Sequence, residues 1–526
     1  MTMRDGIRRN RAALLLPMTM LAMIGGPAAA ANRGHPGCEA LDARACLDRA
    51  IDAMGGGTAL GAINGVTLDI LDHTALTEQS YRQAPFLTSY DRIAETIDFR
   101  AGRVVQEEKS WWPEADPGTE AAESSATLIA SDRAAIVRSG GETQPGSLAE
   151  IEDARETLAL GPERLLLTAR AAPDLHFEDA ETVRATPHSV LAFRWDGHPV
   201  RLLLNASNHL PDAVETVRTF DDFWYAWGDV HQRVYYDNWK LIGPILYPTN
   251  RIDERNGIIL NSAQALDVRI DPPIDSQAAA VDPAAAARSM QARGWDRPFD
   301  DSRHVALAPG VDLYRGSWNV TTIRQQDGVL LLEAPISPGF AAGAIAKARA
   351  GGRLKAVLST SDSWPHVAGV REAVADRLPV YILDLNRPLL DHMIAAPHAL
   401  RPDHLQRDPA RPKWIPVSAR TAIGEGDNRI ELYPLRGAAT ERQYMVYFPA
   451  RRLLYASDTV VYDPKTAKLY DPELTHEVVQ AVEREHLRVD TVYAMHQPPT
   501  PWRSILRAVD GAMGIGDPSQ PPRGRS

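Results

Sequence analysis

Positive charge is in short supply in this chain: 57 lysines and arginines face 68 aspartates and glutamates, a formal net charge of −11 over 526 residues. Neutralising a phosphate backbone needs Lys and Arg gathered on one basic face, and none shows in the sequence, so nucleic acid is excluded as a partner. Long apolar runs are also scarce. Beyond the N-terminal stretch no segment is apolar enough to cross a bilayer, which excludes an integral membrane span once that stretch is removed. Cysteine is nearly absent, with Cys38 and Cys46 the only two. What is present is ordinary globular composition, 44% apolar and 24% charged. The length exceeds what one hydrophobic core sustains, so at least two domains are expected.

Arg4, Arg8, Arg9 and Arg11 precede an apolar run from Ala12 to Ile24, followed by small residues from Ala28 to Ala31. That order of basic, apolar and small regions reads as a secretory signal peptide over 1–31, with a run too short to anchor stably. The mature chain is expected to start near Asn32, in the periplasm or outside the cell. The adjacent arginines leave twin-arginine export as a minor alternative. In an oxidising compartment a Cys38–Cys46 disulfide is the favoured reading. A lipid-modified Cys38 is the rival, although His35-Pro36-Gly37 lacks the aliphatic and small residues such processing wants. Two free thiols of no consequence are the plain alternative.

Residues 32–275 read as one unit and 305–510 as another. A linker over 276–304 separates them, with an alanine-rich run from Ser276 to Ala287, and 511–526 reads as a mobile tail. The first unit opens with a helix at Leu41 to Met54. Short β-type segments follow, among them Val66–Leu71, Arg103–Glu108, Ser189–Trp195, Val200–Asn205, Ala213–Thr219 and Val230–Trp239, with turn signals that point to an antiparallel sheet. A helical passage near Ile151 to Thr168, broken at Gly161-Pro162, would cover one face. Through Arg201–Leu204 to Leu210-Pro211, and Tyr236-Asp237-Asn238-Trp239 with Gly243-Pro244 and Tyr247-Pro248, this unit loosely resembles periplasmic lipoprotein-sorting domains. The resemblance implies a curved sheet holding an apolar ligand. Trp111, Trp112, Phe223, Trp224, Tyr225, Trp227, Tyr235, Tyr236 and Trp239 could line such a cavity, but core or an interdomain surface is the favoured reading.

The second unit has another grammar. Strands at Val311–Arg315, Asn319–Arg324 and Gly328–Glu333 precede a helix at Ala341–Ala350, the strand Leu354–Leu358, a loop, and a helix at Val367–Arg377. A strand at Val380–Leu385 and a helix at Pro388–Ala395 come next. Hairpin-linked strands at Ile430–Pro434, Gln443–Phe448 and Arg452–Ala456 lead to a helix at Pro472–His486 and a closing strand at Thr491–Met495. The fold class expected is α+β, with two packed sheets flanked by helices preceded by a mainly antiparallel β domain.

The loop Thr360-Ser361-Asp362-Ser363-Trp364-Pro365-His366 resembles the first metal loop of the metallo-β-lactamase superfamily, Thr-His-x-His-x-Asp-His, and within it hydroxyacylglutathione-hydrolase-like members. Thr360, Trp364 and His366 match. Ser361 and Ser363 stand for the first two histidines and Pro365 for the aspartate. Leu435 to Thr440, where the family's next histidine falls, holds none. Asp458 matches the bridging aspartate and His496 the last histidine. The resemblance implies an αββα fold, an empty first metal site, and a second site of His366, Asp458 and His496 for one divalent ion, zinc being expected. Asp362 is a further candidate ligand in place of the lost aspartate.

Such an ion would furnish hydroxide near neutral pH for attack on an ester, thioester or amide, with Asp458, or else Asp362, handling the proton. The bland alternatives are a helix-capping His366, a turn-bracing Asp458 and a core His496. A serine nucleophile at Ser361 or Ser363 lacks a Gly-x-Ser-x-Gly elbow, and loop bracing and helix capping suit these residues better. His392, His398 and His404 read as solvated surface. The expectation is therefore a metal-dependent hydrolase acting on a small molecule, with true β-lactam hydrolysis disfavoured. The alternative is a non-catalytic periplasmic binding protein for an apolar or lipid-like ligand.

Overall fold

The computed structural model describes residues 34–77, 86–111, 123–274, 283–289 and 294–514. The expected signal peptide, Trp112, parts of the linker and most of the C-terminal tail lie outside the described residues.

The first unit is built on one 13-stranded sheet. Its strands are β1 (Gly65–Ala75), β2 (Thr88–Asp98), β3 (Arg103–Trp111), β4 (Glu123–Ser131), β5 (Ala135–Ser139), β6 (Glu142–Pro145), β7 (His176–Val183), β8 (Thr186–Trp195), β9 (His198–Asn205), β10 (Pro211–Arg218), β11 (Val230–Ile242), β12 (Ile245–Arg255) and β13 (Ile258–Ile270). Two antiparallel meanders, β1 to β6 and β7 to β13, join where β1 pairs with β13.

Helices cover the inner face. The helix Ala43–Ala53 is capped by the Asp42 carboxylate, which accepts from the Ala45 N–H at 2.8 Å. It buries Cys46, Leu47, Ala50 and Ile51 against Leu191, Phe193, Leu202 and Leu204 of the sheet. The helix Leu148–Leu160 starts on a Ser147/Glu150 capping box and stops at Gly161, and Leu165–Ala171 resumes after Pro162. Cys38 and Cys46 are joined by a disulfide that ties the incoming segment to the first helix.

The second unit has two sheets. One runs in chain order through β14 (His304–Ala308), β15 (Val311–Tyr314), β16 (Val320–Gln325), β17 (Gly328–Leu332), β18 (Leu354–Ser359), β19 (Pro379–Leu383) and β20 (Lys413–Val417). It is antiparallel as far as β17 and parallel from β17 to β20. The other orders β21 (Thr421–Ile423), β22 (Ile430–Pro434), β23 (Tyr444–Phe448) and β24 (Leu453–Tyr455) beside β27 (Thr491–Tyr493) and β28 (Thr500–Pro501). Here β24 and β27 are parallel. A small hairpin, β25 (Tyr462–Asp463) with β26 (Lys468–Leu469), stands apart.

Between the two sheets lies a core that includes Leu313, Ile323, Leu330, Leu358, Leu432 and Phe448. Helices Pro338–Ala350 and Val370–Ala375 cover the outside of the first sheet, and Pro472–Arg484 with Trp502–Met513 the outside of the second. The layering is helix, sheet, sheet, helix, and the class is α+β. Among the described residues no helix is long and apolar enough to cross a membrane.

The two units share a core. Phe220, Trp224, Trp227 and Val230 of the first pack with Leu331, Val357, Trp364 and Val367 of the second. Trp224 and Trp227 belong to the tight 3-10 turn Phe223–Trp227, so these aromatics form an interdomain surface. Gly228 closes that turn at φ +66°, and a Cβ there would fall 2.3 Å from the Pro397 carbonyl oxygen. The segment after Pro397 is clasped by Asp229, whose carboxylate accepts the N–H groups of Ala399 and Leu400. His398 is consequently buried rather than solvated: it is 3% exposed, with Asp403 at 3.8 Å, and burial together with Arg371 lowers its pKa to about 4.

Candidate metal centre

The parallel strands decide where chemistry gathers, because loops at their carboxyl ends all open on one edge of the sheets. The strand β18 delivers Thr360 to Ser363 and the short helical turn Trp364–Val367, which carries His366. After β24 the chain turns through Ser457, at φ +54°, to Asp458. After β27 it passes Ala494 and Met495 to His496. Backbone hydrogen bonds tie these ends together: Ala456 N–H to the Tyr493 carbonyl at 2.9 Å, Met495 N–H to the Ser457 carbonyl at 2.8 Å and Tyr444 N–H to the Thr360 carbonyl at 3.1 Å.

Three separated side chains meet there. One nitrogen each of His366 and His496 and a carboxylate oxygen of Asp458 all lie within 4.8 Å of one another. His366 Nε2 is 3.5 Å from Asp458 Oδ2, and His496 Nε2 is 3.3 Å from Asp458 Oδ1. Donors on a tetrahedral ion with bonds of ~2.1 Å are about 3.4 Å apart; each imidazole is near that spacing from one oxygen of Asp458, so the trio is close enough to gather on one small divalent cation.

Tautomer chemistry points the same way. His496 Nδ1 lies 2.5 Å from the Ser317 carbonyl oxygen, which can only accept, so Nδ1 carries the hydrogen. Its Nε2 is then the nitrogen turned towards Asp458, placed either to donate to that carboxylate or to bind a cation beside it. A backbone carbonyl holding the remote nitrogen is also how metal-ligating imidazoles are commonly oriented.

Burial is graded across the trio, the side chains of His366, Asp458 and His496 being 3%, 21% and 32% exposed. Desolvation, and secondarily the nearby His496, holds His366 well below the ordinary imidazole value, leaving it a neutral nitrogen donor. Desolvation raises Asp458 to about 6, partly offset by His496 and reinforced by Asp471. The Asp458 N–H donates to Gln443 Oε1 at 3.0 Å, which fixes the turn.

Asp362 is not brought into this group. It is fully buried, and its Oδ2 lies 3.7 Å from Arg442 Nε, because the loop turns it towards the segment before β23. The cation beside it is a guanidinium. Ser361 Oγ accepts the Ser363 N–H at 3.1 Å, a loop-bracing role. A second cluster of Glu372, Asp376 and His404 is already neutralised, with Arg349 at 3.0 Å from Asp376 and His404 at 3.0 Å from Glu372.

Sequence reasoning missed Glu333, at the end of β17. It is fully buried at φ +73° and accepts from Thr360 N–H at 3.3 Å, from Thr360 Oγ1, and from Tyr455 Oη at 3.1 Å. Thr360 Oγ1 is in turn 2.7 Å from Ser457 Oγ. One carboxyl thus joins the loops that carry His366 and Asp458. Desolvation lifts it to about 8 against those hydrogen bonds. An acid ending the apolar run Val329 to Leu332 was the available signal.

No family model matches the chain, and no curated protein does. Among solved structures it is similar to the DIM-1 metallo-beta-lactamase, at 14% identity over 41% of this chain and 98% of that one, TM-score 0.32. It is also similar to a metallo-beta-lactamase from Erythrobacter litoralis, at 14% over 42% and 99%, TM-score 0.32. A third is the inverting sec-alkylsulfatase Pisa1 from Pseudomonas sp., at 16% over 40% and 41%, TM-score 0.29.

Proposed function

We propose that the chain is an exported metal-dependent hydrolase with one divalent ion, zinc by donor type, held by His366, Asp458 and His496. The observation that carries this reading is the convergence of one donor atom each from His366, Asp458 and His496, all within 4.8 Å of one another, with Ser317 holding the remote nitrogen of His496. Two imidazoles and one carboxylate suit zinc and leave coordination open for water. When bound, the ion would supply Lewis acidity and a water acidic enough to ionise near neutral pH.

The protein's own groups do the rest. Ser317 orients His496, Gln443 holds the Asp458 turn, and burial keeps His366 neutral. Asp458, with one oxygen towards each imidazole, is the group placed to hold and pass on the proton of an attacking water. The substrate class is a small ester, thioester or amide. Export rests on the N-terminal sequence and accords with the Cys38–Cys46 disulfide.

Elemental analysis of the purified chain tests this directly. About one divalent ion per chain is expected, and His496→Ala should lose both the ion and hydrolysis of p-nitrophenyl acetate. Wild-type protein with no ion after zinc loading, or a variant that keeps it, would refute the assignment.

A further inference from the structure

The inner face of the first sheet carries an unusual row. In register across the strands it runs Arg251 on β12, Ala263 on β13, Asp72 on β1, Asp91 on β2 and Ser110 on β3. Asp72 and Asp91 are 5% exposed each and sit directly opposite one another, a pairing of like charges that costs stability. Asp91 is satisfied by Ser89 Oγ at 3.0 Å and by Ser110 Oγ. Asp72 is not: Thr74 Oγ1 donates to its Oδ2 at 3.2 Å, but its buried Oδ1 accepts nothing. Burial and Asp91 push its pKa up, against the pull of Arg251.

Arg251 stands on the other side of Ala263, exposed to the groove; it makes no salt bridge among the described residues, although Glu95, Asp253 and Asp72 act on its charge from further off. Asp72 and Arg251 are therefore two strand spacings apart, about 9–10 Å between Cα atoms. The floor between them is the small pair Ala263 and Ala265. Ile70 and Ile93 supply an apolar wall in the next row. The space is a cavity of about 80 Å³ that adjoins one of about 190 Å³, with Glu95, Gln106, Tyr236 and Arg251 shared between them.

We propose that this groove binds a small zwitterion with an apolar side chain, an amino acid or dipeptide, its ammonium on Asp72 and its carboxylate on Arg251. The gap between the unfilled Asp72 Oδ1 and a guanidinium without a contact ion pair is what such a molecule spans. Its alkyl group would lie on Ile70 and Ile93. A ligand carrying both signs would meet both groups at contact distance, which separates this from an apolar-ligand cavity. The site is independent of the metal centre, so its fate and that of the hydrolase reading are decided by different measurements.

Calorimetry on the full mature chain tests it with L-leucine and L-leucyl-L-leucine, against isoamylamine, which keeps only the ammonium, and 4-methylpentanoate, which keeps only the carboxylate. At least one zwitterion should bind below about 10 mM, and each single-charge probe should bind at least about tenfold more weakly. Asp72→Asn and Arg251→Gln should each weaken the zwitterion by a similar factor. Arg251→Gln should leave isoamylamine affinity unchanged, and neither variant should alter metal content. No heat from either zwitterion, or an amine that binds as tightly as the zwitterion, overturns the proposal. The probe comparison uses wild-type protein and so decides the matter even if a variant fails to fold.

Discussion

Replacing Trp364 with alanine tests whether the two units are mechanically one. The indole is 0% exposed, and it meets Trp224 at 4.8 Å, Trp227 at 5.1 Å and Phe86 at 6.1 Å between ring centroids, all edge-on. Truncating a buried Trp costs about 3–5 kcal/mol. Edge-to-face ring pairs add about 0.5–1.5 kcal/mol beyond area burial, which places this site near the top of that range. Collapse around the void is also hampered, because its walls belong to two units and could close only if they moved together. A loss of about 4–5 kcal/mol is expected, against a clearly smaller one for Trp364→Phe, which keeps a ring in place. Urea unfolding followed by tryptophan fluorescence and far-UV dichroism should show the midpoint fall by about 1 M. The two halves should then unfold in separate steps, and zinc affinity should drop because His366 sits on the same turn. A cost under about 1 kcal/mol with one unchanged transition would refute the shared-core argument.

The buried Glu333 gives a pH test. Its carboxyl is held near 8 in the folded chain against a reference of 4.5. The folded state therefore keeps a proton that the unfolded state has released, and the stability Glu333 confers is present below about pH 4.5 and lost as pH rises to about 8. Glu333→Gln removes that dependence, so the variant should gain on wild type by on the order of 4 kcal/mol between about pH 5 and pH 8; parallel profiles in urea would disprove it. Removing the disulfide with paired Cys38→Ala and Cys46→Ala changes frees a loop closed by residues eight apart. The loop-entropy model expects a loss of about 2–3 kcal/mol, and an unchanged urea midpoint would count against it.

The local grammar of this chain was legible where apolar periodicity was strong. The helix at Leu41 to Met54 appears as Ala43–Ala53, and the break at Gly161-Pro162 separates two helices where the sequence put it. The alternation of strands and helices in the second half already implied two covered sheets. Strands such as β2 were harder, because their inner face carries Ser89, Asp91 and Glu95 in place of apolar residues, which erases the period-two signal. That erased pattern is the same feature that makes the groove chemically interesting. At the candidate site, His366, Asp458 and His496 were legible as positions after strands. Asp362 was indistinguishable from a ligand in sequence, since only the loop path turns it to Arg442. The roles of Ser317 and Gln443 depend on a backbone carbonyl and a side-chain amide brought from distant segments, which no local pattern encodes.

The graded burial of the trio leaves one side of it open to solvent. His366 is buried on a turn whose Trp364 and Val367 pack against the aromatic turn of the first unit, and the loop before it is held through Thr360 to Glu333. Nothing can approach from that side without opening the shared core. Asp458 is a fifth exposed and His496 a third, with Trp318 edge-on to His496 at 5.8 Å. Trp318 is itself only partly buried, with its indole N–H on the enclosed side of the ring and no hydrogen-bond partner there. On the proposed function a substrate would therefore enter past His496, beside the Trp318 ring. Attack would take place against Asp458, on the inner side of that entrance. The first unit thus packs behind the turn that carries His366, while Asp458 and His496 face the Trp318 side.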